Sequence, residues 1–89
     1  MARQELAHID AAPLAPVGAS GEVFFELGMM YASGRSVPAD LVVAHKWFNL
    51  AAMRGNEDAV RWRREIAAEM SELEIAAAQR AARDWLQTH

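Results

Sequence analysis

The sequence contains no cysteine, which excludes disulfides and thiolate metal sites. It also lacks a basic excess, because 9 Lys+Arg stand against 12 Asp+Glu and the formal net charge is −3. Nucleic-acid-binding domains usually show the opposite balance. No apolar run reaches bilayer-spanning length, and no apolar segment follows Arg3 as in a secretory signal. We therefore expect a cytoplasmic protein without membrane-spanning segments.

What is present indicates a small folded domain. The 89 residues are 53% hydrophobic and 24% charged, which is too apolar for a disordered chain. A core of this size nets only about 3–5 kcal/mol. Two of the three prolines, Pro13 and Pro16, lie just before Gly18 and disfavour a helix there. We interpret residues 1–20 as an N-terminal tail or docking arm, and 21–88 as the domain.

Helical periodicity predicts four helices and no strand in residues 21–88. The predicted ranges are 22–33, 40–54, about 56–70 and about 71–87. Capping residues mark their ends: Ser20, Asp40, Asn56 and Ser71 at the starts, and Gly34 and Gly55 beyond the ends of the first two. Glu74, three residues after Ser71, completes a capping box. Short connections between such helices favour antiparallel neighbours.

The first helix is apolar on more than one face. Its predicted buried stripe is Val23, Leu27, Met30 and Tyr31, with Phe25 also expected in the core. Phe24 and Met29 fall outside this pattern, so we predict that they bind a partner protein or a second copy of the chain. Exposed aromatic and methionine side chains are typical of docking surfaces. The alternative is that both are simply buried.

Small and aromatic residues recur at fixed spacing between residues 27 and 59. The positions are Leu27, Gly28, Tyr31, Gly34, Val37, Asp40, Ala44, Trp47, Ala51, Ala52, Gly55 and Ala59. This spacing resembles a Sel-1-like repeat, a relative of the tetratricopeptide repeat, and the string 46–52 is similar to bacterial members. The resemblance implies an all-α fold, an α–α superhelix of TPR-like helical hairpins with about four antiparallel helices. Residues 70–85 resemble the terminal capping helix of such proteins.

The small residues of this pattern also have a physical role in helix packing. Glycine at position 28 would let the second helix cross close by, with Ala44, Ala51 and Ala52 providing small surfaces opposite. Ser36 departs from the family pattern, since a second glycine is usual there, and a positive φ would strain it. The repeat does not restart after residue 59. We therefore predict one full repeat closed by an atypical helical pair.

The resemblance implies a protein–protein interaction or scaffold module that presents a helical groove to a partner protein or forms a homodimer. The alternative is a small helical nucleic-acid-binding regulator that uses the basic cluster Arg61–Arg64 around Trp62. Glu57 and Glu65 lie one turn to either side and would partly neutralise this cluster. We consider nucleic-acid binding the less favoured function.

Side chains suited to catalysis or metal binding are few. They are His8, His45 and His89, and the carboxylate pairs Glu22–Glu26 and Glu65–Glu69. The histidines lack metal-ligand spacing, and such carboxylate pairs usually lie on solvated helix faces. No phosphate-binding glycine loop or nucleophile elbow is present. We expect no enzyme activity, cofactor or metal.

Overall fold

The structure of the protein, a computed structural model, describes residues 20–89. These residues form four helices: α1 (Gly21–Ser33), α2 (Leu41–Met53), α3 (Glu57–Ala67) and α4 (Glu72–Thr88). No strand occurs within 20–89, so the all-α fold is confirmed. No helix in this part of the chain has the length and hydropathy needed to cross a bilayer. Residues 1–19 of the predicted tail or docking arm lie outside the described residues.

Each helix begins at a side chain that accepts a hydrogen bond from a backbone N–H of its first turn. These N-cap residues are Ser20, Asp40, Asn56 and Ser71, as predicted. The capping box is also formed, because Ser71 accepts from the Glu74 amide and the Glu74 carboxylate accepts from the Ser71 amide. Caps of this type contribute about 1 kcal/mol each, so local sequence defines where the helices start.

The α2 helix packs against each of the other three helices. It runs antiparallel to α1, since Gly21 lies beside Arg54 at one end and the Asp40 amide donates to the Tyr31 carbonyl at the other, at 2.9 Å. Between α2 and α3, Arg63 donates to the side chain of Asn49 at 2.6 Å. The predicted closing pair, α3 and α4, make few contacts with each other, and both use α2 as their main support.

Three aromatic rings from three helices meet at the centre of the core. Phe24 of α1 stacks on Trp47 of α2 with ring centroids 5.7 Å apart. Trp85 of α4 meets both rings edge-on, at 5.3 Å from Phe24 and 5.8 Å from Trp47. Phe24 and Trp47 are fully buried and Trp85 is nearly so. We refer to these three rings as the aromatic triangle; it connects α1, α2 and α4.

The buried face of α1 differs from the predicted stripe. Phe24, Leu27, Gly28 and Tyr31 face the core, whereas Val23 is 39% exposed. The predicted exposure of Phe24 is therefore wrong. Residues 24, 27, 28 and 31 follow the i, i+3, i+4, i+7 spacing of one helix face, and this face places a large ring against two tryptophans. The predicted stripe began one residue too early.

Glycine at position 28 makes room for a ring rather than for the small residues of α2. A Cβ at this position would lie 2.5 Å from Cδ1 and Cε1 of Phe48. The predicted close approach of α1 to the helix holding Ala51 and Ala52 is confirmed, although the nearest neighbour of Gly28 is Phe48, and the Ala51 carbonyl lies beside Gly21, 3.2 Å from where a Cβ would be. Close approach of α1 and α2 therefore depends on the Phe48 ring filling the gap.

The turn between α1 and α2 contains two left-handed residues. Gly34 ends α1 with φ 78°, and its amide donates to the Met30 carbonyl at 2.9 Å. Ser36 follows with φ 75°, which confirms the positive φ considered for this position. A residue with a Cβ pays about 1–2 kcal/mol in this region, so the turn is strained at Ser36.

We predict that Gly28→Ala destabilises the protein by up to about 2 kcal/mol. Overpacking costs about 1–3 kcal/mol, and the better helix propensity of alanine offsets about 1 kcal/mol of it. Urea unfolding followed by circular dichroism measures the effect. In a Phe48→Leu background the same substitution should cost less, because the ring that the Cβ meets has gone; an equal cost in both backgrounds would contradict this packing.

We predict that Ser36→Gly stabilises the protein by about 0.5–1 kcal/mol. Relief of the left-handed strain exceeds the extra entropy that glycine gives the unfolded chain. Thermal unfolding measures this change. Ser36→Ala is the matched control, since it removes the hydroxyl but keeps the Cβ; a similar gain from alanine would show that the backbone is not the cause.

Candidate functional site

A groove of about 490 Å³ lies along the side of α1 that faces away from the core. Its lining residues come from α1 and the turn that follows: Phe25, Glu26, Met29, Met30, Arg35 and Ser36. The three apolar side chains are half-buried, whereas the three polar residues are exposed. The groove therefore has an apolar floor with a polar rim, which is a common arrangement at docking sites.

The floor of the groove is supported by the core beneath it. The Phe25 ring lies 5.7 Å from the Phe48 ring, the same ring that occupies the space beside Gly28. Phe25 is thus held on one side and open to the groove on the other. Met29 follows one helical turn later and packs against the same core. A fixed ring beside a flexible methionine combines a rigid contact surface with an adaptable one.

Two opposite charges line the groove at different positions along α1 and its following turn. Glu26 lies in the second turn of α1, and Arg35 lies just beyond the end of the helix. Neither side chain forms an ion pair within residues 20–89, where Arg61–Asp58 is the pair observed. Both side chains are exposed, so each is available to a charged group on a docked molecule.

The two predicted partner-binding residues lie in different places. Met29 lines the groove, but Phe24 is fully buried in the aromatic triangle. Phe25, which was expected in the core, is half-buried and lines the groove with Met29. The i, i+4 spacing of residues 25 and 29 was the signal for this face in the sequence. The contribution of Arg35 depends on the path of the turn, which the helical pattern does not contain.

The repeat-motif residues build the scaffold and do not line the groove. Buried positions are Leu27, Gly28, Tyr31, Ala44, Trp47, Ala51 and Ala59, with Ala52 half-buried. Turn and cap positions are Gly34, Asp40 and Gly55. Asp40 accepts from the amides of Val42 and Val43 at 3.1 Å each. The motif therefore specifies how α1 and α2 pack, while neighbouring positions supply the surface.

The basic cluster of the alternative function is divided between different partners. Arg61 pairs with Asp58 at 3.1 Å, and Arg63 donates to Asn49 on α2. Trp62 is half-buried and packs against the core. Arg61 and Arg64 share an exposed helix face, but Arg61 is paired with Asp58, and Trp62 is not exposed as a ring for stacking on bases.

His45 is the buried histidine of the described chain, only 3% exposed on α2. Its Nδ1 has no hydrogen-bond partner within residues 20–89. Burial lowers the pKa of His45, and the positive charge of Arg63 lowers this pKa further. The side chain is therefore neutral in the folded protein near pH 7. No cluster of three or more potential metal ligands occurs in the described residues, and His45 is a core residue.

We predict that acid destabilises the protein through His45. Its folded pKa lies below the unfolded value of about 6.5, so the unfolded chain binds more protons in the interval between the two. The contribution of neutral His45 to the free energy of unfolding is fully present above about pH 6.5. It falls as the pH drops below this value, and it stops changing below the pKa of His45 in the folded protein. Urea unfolding at several pH values between 7.5 and 5 measures this slope.

His45→Gln is the control for this effect, because glutamine does not titrate in that range. The variant should lose most of the pH dependence between 7.5 and 5. Arg63→Gln should reduce the slope, since loss of the neighbouring charge raises the folded pKa of His45. An unchanged slope in His45→Gln would show that other groups cause the acid sensitivity.

Comparisons with protein-family models, with curated proteins and with solved structures gave no match for this chain. The resemblance to Sel-1-like repeats rests on the residue spacing described above.

Proposed function

We propose that this chain is a protein-interaction module of the Sel-1-like repeat type, which presents the α1 groove to a partner protein. The observation that carries the proposal is the groove itself, an apolar floor of three half-buried side chains supported by the core. The bacterial origin and the scaffold role that the resemblance implies belong to the same proposal.

The dimensions and chemistry of the groove suit side chains of a peptide or helix. A volume of about 490 Å³ lies within the range of pockets that bind drug-sized ligands, roughly 300–1,000 Å³. The apolar residues Phe25, Met29 and Met30 form a row along one helix. An amphipathic helix of a partner carries its apolar side chains in a similar row, so the two rows could pack together. Glu26 and Arg35 then determine which way the docked segment runs, because its charged residues are attracted to the opposite charges of the groove.

The scaffold beneath the groove limits the entropy lost on binding. Phe24 anchors α1 in the aromatic triangle, and Gly28 brings the helix onto the Phe48 ring. A surface held in one conformation before binding loses less conformational freedom when a partner docks. The core therefore supports recognition without contributing side chains to it.

Nucleic-acid binding through residues 61–64 has less support. Two of its arginines are already engaged, with Asp58 and with Asn49, and the net charge of −3 opposes association with phosphates. The groove on α1 contains one acidic and one basic side chain, so it offers no cationic surface either.

A library of helical peptides displayed on phage tests the proposal directly. We expect selection on the full chain to recover peptides with apolar residues at i, i+3 or i, i+4 spacing. Their affinity, measured by fluorescence anisotropy, should fall at least tenfold in Met29→Asp, because a carboxylate would be desolvated in the groove. Met53→Asp is the matched control, since Met53 is 61% exposed and does not line the groove.

Two results would contradict the proposal. One is that no peptide binds the full chain. The other is that the recovered peptides bind Met29→Asp as tightly as the unmodified protein while circular dichroism shows both to be equally helical. Amide chemical-shift changes on peptide addition provide a second measurement, and they should concentrate on α1 and the turn at 34–37.

A further inference from the structure

We propose that the molecule docking in the α1 groove is a second copy of this chain, arranged so that the two grooves face each other across a two-fold axis. This inference rests on the proposed interaction function and names its partner. Its basis is the placement of charge along the groove, together with the half-buried apolar side chains that line it.

The charges of the groove are complementary to themselves. Glu26 lies in the second turn of α1 and Arg35 just beyond the C-terminal end of this helix, and neither forms an ion pair within residues 20–89. A two-fold axis passing near Met29 and Met30 exchanges the two charged positions. Glu26 of each copy then lies against Arg35 of the other, so the dimer contains two symmetry-related ion pairs. A groove with the same charge at both positions would repel its own copy.

The apolar residues of the groove, of which Met29 and Met30 lie between the two charges along the chain, form the centre of the proposed interface. Phe25, Met29 and Met30 are each half-buried in the single chain, and the facing copy would cover their remaining surface. Aromatic and methionine side chains are enriched at the centres of interfaces, with charged groups at the rim. Met53 and Leu73 are more exposed, at 61% and 83%, but they lie outside the groove and serve as controls.

The small size of the surface limits the affinity of the dimer. The 13 residues of α1 extend over about 20 Å, so one helix face with its following turn makes a small interface. We therefore expect micromolar self-association that weakens as salt screens the rim charges. At concentrations well below this range the chain would be monomeric.

Mixing two charge variants of the full chain provides the test. In Glu26→Arg both charged positions of the groove are positive, and in Arg35→Glu both are negative. Each variant alone should self-associate at least tenfold more weakly than the unmodified chain in sedimentation equilibrium at low salt. An equimolar mixture should recover the dimer mass, because every rim contact in the mixed pair again joins opposite charges. Both positions are exposed, so we expect the variants to remain folded, which circular dichroism checks.

Further variants separate the groove from general charge effects. Met29→Asp should abolish the dimer, whereas Met53→Asp and Leu73→Asp should leave its dissociation constant within about twofold, since neither residue lines the groove. The double variant Glu26→Arg/Arg35→Glu should dimerise like the unmodified chain, because exchanging the two charges preserves complementarity.

Three results would overturn the two-fold pair. They are a monomer at up to millimolar concentration, equal self-association of the charge variants and the unmodified chain, and a mixture that fails to recover the dimer. These outcomes differ from failure of the proposed function. If the chain is monomeric but a displayed peptide binds in a manner sensitive to Met29→Asp, the groove is a docking site for another protein.

Discussion

The stacking of Phe24 on Trp47, with Trp85 against both rings, is the contact on which the rest of the molecule depends. It joins helices that are distant in sequence, and it orients α1 so that Gly28 meets the Phe48 ring. Rotation of α1 by one residue would expose Phe24 and turn Phe25 inward. The groove exists in its observed form because this rotation would lose the most extensive aromatic contact in the core.

A central α2 explains how so short a chain can have a well-defined core. Each of the other helices packs on α2, so one 13-residue element provides a shared surface. Its buried residues include two large rings, Trp47 and Phe48, together with Ala44 and Ala51, where neighbouring helices can approach closely. The same arrangement buries His45 near Arg63, and both the burial and the arginine charge lower the pKa of His45.

Scaffold and surface are encoded by different residues of the same helix. Leu27, Gly28 and Tyr31 belong to the repeat-like pattern and face the core, whereas the neighbouring residues Phe25 and Met29 face the groove. Substitution at the second set can change what the protein binds while the helical packing persists. This separation is physically reasonable because a helix with a 3.6-residue period places residues three and four apart on one face and leaves the residues between them on other faces.

The sequence by itself determined the helix count, the N-caps and the glycine that ends α1, because capping depends on residues only a few positions apart. Periodicity placed Val23 in the buried stripe of α1 and Phe24 outside it, and it is contact with Trp47 and Trp85 that buries Phe24 instead. The groove was likewise a tertiary outcome, since Arg35 and Ser36 join it through a turn with a left-handed serine. Local interactions set the elements, and long-range ring packing set the faces that they present.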